Sequence, residues 1–179
     1  MREINWNAVE EAKEFKKPVA GGYICGITAV QDVADKEYLK IEYDFAEGEF
    51  KNYWRELYNS KGFWGGSFIR SYKEKALPFF KGFLTAVQES NAGYVFHNDE
   101  STLKRKLIGI VLGEEEYLAK DGTVKTRLYV DSVHSVKAIK NKEFEVPYFK
   151  KLAPAGFPQA PQTEFTGLSI EDDDGDLPF

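Results

Sequence analysis

Two short runs alternate rings with cations at the two-residue spacing of a β-strand. Phe68, Arg70 and Tyr72 share one side of the first run, and Lys125, Arg127 and Tyr129 share one side of the second. Flat rings stack on unpaired nucleobases and cations follow a phosphate backbone. Such a site gains roughly 1–3 kcal/mol per stacked base and a salt slope of about 0.7 log units per phosphate contact. Trp64, in a glycine-rich loop, and the cluster Lys104, Arg105 and Lys106 would extend the path. Each ring has an alternative use in core packing, and each cation in a solvated outer face. Glu42 and Asp44 sit on the polar side of an earlier strand, where they would repel a polyanion and steer it elsewhere.

Other chemistries fit poorly. His97 and His134 are isolated in sequence from Cys, His or carboxylate partners at metal-ligand spacing, so no metal is expected. Strand alternation sends Glu115 away from Glu114 and Glu116, and this acidic triplet reads as surface charge rather than a nuclease centre. The glycine-rich loop NSKGFWGGS lacks the Lys-Ser/Thr that closes a phosphate-binding P-loop, and no G-x-S-x-G is present. The chain reads as a non-enzyme that needs no cofactor.

The elements that must position these residues follow from periodicity. Residues 5–15 suit a short helix that Pro18 stops. Two strands joined by a polar turn near 31–36 come next. In the second, Leu39, Ile41, Tyr43 and Phe45 share one face. A short helix is expected over 49–58, a strand over 66–72 and the main helix over 73–90. Pro78 is tolerated in the first turn of that helix, and Leu77, Phe80, Leu84 and Val87 form its core face. Two further strands flank a turn at 119–122. The apolar run 107–112 suggests a strand covered on both sides. Strand, strand, strand, long helix, strand, strand is the element order of an OB-fold. That is a mainly β domain with helices, a five-stranded partly open barrel whose helix lies between the third and fourth strands. The domain is expected over residues 1–152, with a basic extension at 137–152, a Pro-, Gly- and Gln-containing linker over 153–167 and an acidic tail over 168–179.

Charge is uneven along the 179 residues. The formal net charge is −5, but residues 153–179 carry six acidic groups and no Lys or Arg. Residues 1–152 therefore hold 24 basic groups against 23 acidic, and 103–152 hold 11 against 7, a local +4. A pI near 5.2 thus masks a mildly basic body. The single cysteine, Cys25, excludes a disulfide framework and suits a small apolar core position in a reduced, cytoplasmic setting. The start of the chain is unlike a signal peptide, and its longest apolar run falls far short of the ~20 residues a membrane helix needs. A soluble, intracellular protein without membrane contact is expected. Homo-oligomerisation is compatible with this reading and is not specified by it.

Residues 168–179 read LSIEDDDGDLPF. Asp172, Asp173, Asp174 and Asp176 cannot bury themselves, which suits a disordered, solubilising tail. Leu177, Pro178 and Phe179 do not serve solubility. A Phe that bears the α-carboxylate suits capture by an apolar pocket with a basic rim, so these seven residues are expected to dock a partner protein. The tethered charge is also expected to compete with DNA for the basic face.

This tail resembles the acidic C-terminal tip of bacterial and phage single-stranded DNA-binding proteins. In the body, PVAGGYICGITAV, EYLKIEYDFAEGEF and LIGIVLGEEEY…RLYVDSVHSVKAI…FEVPYFKKL, roughly residues 18–152, resemble a family of Gram-positive phage proteins regarded as single-stranded DNA-binding OB-folds. The resemblance implies a body that coats single-stranded DNA with little sequence preference during phage DNA replication, recombination or repair, in the host cytoplasm. It also implies a tip that recruits replication or recombination proteins. The alternative reading is an OB-like protein–protein adaptor that does not bind DNA.

Overall fold

Strict alternation of Leu39, Ile41, Tyr43 and Phe45 with polar neighbours obliges one strand to bury a whole face, and the rest of the chain is arranged to cover it. In the computed structural model, which describes residues 2, 3, 5 and 16–152, five strands form one antiparallel sheet. They are β1 (Gly21–Val33), β2 (Tyr38–Phe45), β3 (Ser67–Ser71), β4 (Leu107–Leu118) and β5 (Val124–His134), in the order β3-β2-β1-β4-β5. Among the described residues three α-helices accompany them: α1 (Tyr53–Lys61), α2 (Leu77–Ser90) and α3 (Val136–Lys140). The edge strands β3 and β5 do not pair with each other, and α2 lies against both across the opening. The result is a mostly β, partly open OB-like barrel with its main helix between the third and fourth strands. The expected helix at 5–15, the linker 153–167 and the tail 168–179 lie outside the described residues.

Rings fill the centre. Phe45 is surrounded by Tyr23 at 5.0 Å, Phe50 at 6.0 Å, Tyr43 and Tyr53 at 6.2 Å and Trp54 at 6.3 Å between centroids. Edge-to-face and stacked pairs of this kind add about 0.5–1.5 kcal/mol each beyond their area. The high aromatic content is therefore used mostly in the core. Cys25 is fully buried beside them, as expected, and burial, reinforced by the nearby Asp44 charge, pushes its thiol well up.

Several boundaries differ from the periodicity. α1 begins four residues later than expected because Asp44, not a local residue, receives the N–H groups of its first turn. Asp44 was expected to face solvent with Glu42, but it is only 4% exposed. In α2 the buried stripe is Phe83, Ala86 and Val87, flanked by Phe80 and Leu84, whereas Leu77 is 48% exposed. A 3₁₀ turn at Glu74–Ala76 precedes the helix and sets the phase of its first residue. At its end, Asn91 donates to the carbonyls of Val87 and Leu107 and accepts from the Leu107 N–H, fixing α2 to the start of β4.

β4 is covered on both sides, as its apolar run suggests. Ile108, Ile110 and Leu112 face the core, while Val111, on the outer side, is also fully buried. The outer cover is α3 and the segment after it, residues 141–152, which returns beside β4 instead of leading away as a plain extension. A Cβ on Gly22 would stand 2.3 Å from Cζ of Phe144, so only glycine lets that ring rest on the sheet. Further along, Lys150 donates its N–H to Glu114 O at 3.0 Å, and Glu116 donates to Lys150 O at 2.8 Å. Among the described residues, no helix is long and apolar enough to cross a membrane.

Candidate nucleic-acid interface

Beyond Leu112, β4 and β5 continue as a ribbon. Its register sets Gly113 opposite Tyr129, Glu115 opposite Arg127 and Tyr117 opposite Lys125. Directly opposed residues of an antiparallel pair share a face. Lys125, Arg127 and Tyr129 therefore do lie on one side, and the pairing adds Tyr117 to them. The Arg127 guanidinium rests 5.1 Å from the Tyr117 ring centroid and donates from Nε to Glu115 Oε1 at 2.8 Å. Lys125 meets Asp121 at 3.5 Å in an exposed pair. Such surface ion pairs are worth about 0–1 kcal/mol, so a phosphate can displace either carboxylate at little cost.

Tyr129 is held between two neighbours. A Cβ on Gly113 would come within 2.4 Å of its Cζ, so the ring lies directly on the β4 backbone. On the ring Lys150 places Nζ 4.0 Å from the centroid. Cation–ring contacts of this type contribute about 0.5–1 kcal/mol at exposed sites. Tyr129 thus seats a cation more readily than a base. Lys150, Tyr117, Lys151 and the exposed rings Tyr148 and Phe149 escape the strand-face pattern of the sequence. Two signals for them were present there. Counting back from the 119–122 turn pairs Tyr117 with Lys125, and the run YFKK places two rings beside two cations.

The other predicted residues fall elsewhere. Ile41 pairs with Phe68 and Leu39 with Arg70, so the ring–cation side of β3 is the core side. Phe68 is 8% exposed and packs on Tyr43 and Phe83, which leaves no face for a base. The reason is that β3 follows the phase of β2, whose apolar face it extends. Arg70 bends over the Phe68 ring at 4.8 Å and donates to the Ile69 carbonyl, and desolvation lowers its guanidinium to about 10. The Tyr72 hydroxyl donates to Asp32 Oδ1 at 2.8 Å, a bond that pushes its pKa up to about 12, and its ring meets Phe80 edge-on.

Trp64 is half-buried beside Tyr58 and donates from Nε1 to Gly66 O at 3.1 Å. Lys104 and Arg105 are exposed at the start of β4, and Lys106 covers the Tyr94 ring at 4.5 Å. Arg105 donates its N–H to Ile27 O, which places this cluster near the middle of β1. The 12 residues of β4, Leu107–Leu118, separate it from the ribbon tip by roughly 36 Å of strand. The ten predicted contact residues therefore do not form one path: Lys125, Arg127 and Tyr129 share the outer side of the ribbon, Arg70 turns back onto Phe68 at β3, and the Lys104–Lys106 cluster lies apart from both.

Of the two acidic residues expected to repel a polyanion from β2, only Glu42 is left with a free carboxylate face. Both Asp44 oxygens are engaged, Oδ1 by the N–H groups of Phe45 and Trp54 and Oδ2 by that of Arg55. His134 shares a hydrogen bond with Ser132 Oγ at 3.0 Å and lies near Phe144, while His97 is exposed. The seven residues expected to dock a partner, from Asp172 to Phe179, lie outside the described part of the chain. No family model and no curated protein sequence matches this chain.

Proposed function

We propose that the protein binds single-stranded DNA, non-enzymatically and with little sequence preference. In this reading the acidic segment 168–179 recruits replication or recombination proteins. The observation that carries it is the outer face of the β4–β5 ribbon, where Arg127 lies over Tyr117 and Lys150 over Tyr129 on an OB-like barrel. Barrels of this architecture bind oligonucleotides along their sheet face and the loops around it. Contacts made by cations and rings, without base-edge donors in fixed geometry, favour backbone tracking and stacking over sequence readout.

A gel-shift with an oligonucleotide of about 30 nucleotides, long enough for one OB barrel, tests this across a salt series. The expected result is binding at low salt that weakens steeply as salt rises. The second reading, a protein–protein adaptor, draws on the exposed apolar side chains Leu118, Val124, Val146 and Leu152 near the same ribbon. An adaptor gives no shift at any salt.

A further inference from the structure

Tyr148 is 95% exposed and its neighbour Phe149 is 42% exposed, so neither ring is used to fill the core. Large rings left in water oppose solubility unless something else covers them. The two that follow, Lys150 and Lys151, have no carboxylate partner among the described residues. Their position is nonetheless fixed. Glu114 and Glu116 hold the backbone of Lys150 from both sides, and Leu152 N–H donates to Glu116 Oε2 at 2.9 Å. Two rings and two cations are thereby pinned to the edge of the ribbon that carries Tyr117 and Arg127.

From this we infer that the return segment is the base-stacking part of the site. Tyr148 and Phe149 stack on unpaired bases, while Lys150, Lys151 and Arg127 hold the phosphates between them. The inference rests on the single-stranded DNA reading above. It moves the stacking rings away from β3, whose Phe68 faces the core, to a segment that follows the barrel. The backbone bonds at Lys150 spare the ordering cost that a free tail would incur on binding. Charge selects the occupant: an anionic strand fits two lysines that lack a carboxylate partner among the described residues, whereas a purely apolar protein patch offers them no anion.

Tyr148→Ala and Phe149→Ala test this by oligonucleotide anisotropy, alongside Tyr148→Trp and a urea unfolding curve for each variant. Because Tyr148 packs on so little, its variants keep the wild-type unfolding midpoint. Each Ala variant is expected to weaken binding about five- to a hundred-fold, the range for losing one stacked base. Tyr148→Trp keeps its affinity, and its added fluorescence is quenched on binding. Folded Ala variants with unchanged affinity overturn the inference while leaving the DNA reading intact, and that is also the signature of a protein occupant. Wild-type protein that binds no oligonucleotide overturns both.

Discussion

Replacing Asp44 by Ala removes a carboxylate that is 4% exposed and accepts three hydrogen bonds on its two oxygens. Oδ1 takes the Phe45 N–H at 2.9 Å and the Trp54 N–H at 3.0 Å, and Oδ2 takes the Arg55 N–H at 3.1 Å. Two of these donors are the otherwise unsatisfied first-turn groups of α1, which carries Trp54 and Leu57 into the core. At about 1 kcal/mol for each bond lost from a buried donor, the expected destabilisation is about 3 kcal/mol. For a domain of this size that lowers Tm by roughly 10 °C. Asp44→Asn keeps one oxygen and turns an amide NH₂ towards a donor, so it costs about half as much. Glu42→Ala, two residues earlier on the same strand, changes stability by no more than about 0.5 kcal/mol. Urea unfolding followed by tryptophan fluorescence reads all three, since Trp54 lies beside the lost bonds. A cooperative Asp44→Ala transition within about 0.5 kcal/mol of wild type refutes the capping role.

The same carboxylate gives a pH dependence. Burial raises the Asp44 pKa against the pull of its three N–H donors. A group that holds its proton more tightly when folded contributes stability that is full below its unfolded pKa and lost as pH rises through its folded one. The stability gap between wild type and Asp44→Asn therefore narrows as pH climbs through the carboxylate range; a widening gap in paired urea curves contradicts this. Phe68→Ala opens a cavity in the core and costs about 3–5 kcal/mol in unfolding. Its oligonucleotide Kd, measured where the variant is still folded, stays at the wild-type value, and a weaker Kd there would return Phe68 to the interface. Gly113→Ala drives a methyl group into the Tyr129 ring, with Cβ 2.4 Å from Cζ and 2.5 Å from the hydroxyl oxygen. A loss of about 1–3 kcal/mol in urea unfolding is expected as the ring lifts, together with weaker DNA binding as Lys150 shifts. Unchanged values on both counts would mean that the ring lies elsewhere.

The barrel was legible because alternation is a local signal. Leu39, Ile41, Tyr43 and Phe45 declare a buried face, and the turn at 119–122 fixes the pairing on either side of it. The proposed binding face was legible only in part. A ring–cation alternation tells that two residues share a side and is silent on which side meets the core. β3 took its phase from β2, and β5 took its phase from Leu128 and Val130 packing inward, so identical patterns ended on opposite faces. Asp44 escaped for a related reason, since its partners lie 10 and 11 residues away on α1. The return segment escaped because its strand-like contact with β4 joins residues 35 apart, Glu115 and Lys150, through backbone groups that leave no mark in the side-chain pattern.

Photocrosslinking locates the side chains that bound bases touch. An oligonucleotide carrying halogenated pyrimidines is irradiated with the full-length protein, and the adducts are located by peptide mass mapping. Crosslinks are expected on the ribbon and the return segment, at Tyr117, Tyr148 and Phe149. Adducts confined to Trp64, Phe68 and Tyr72, or none at all at low salt, would contradict that expectation.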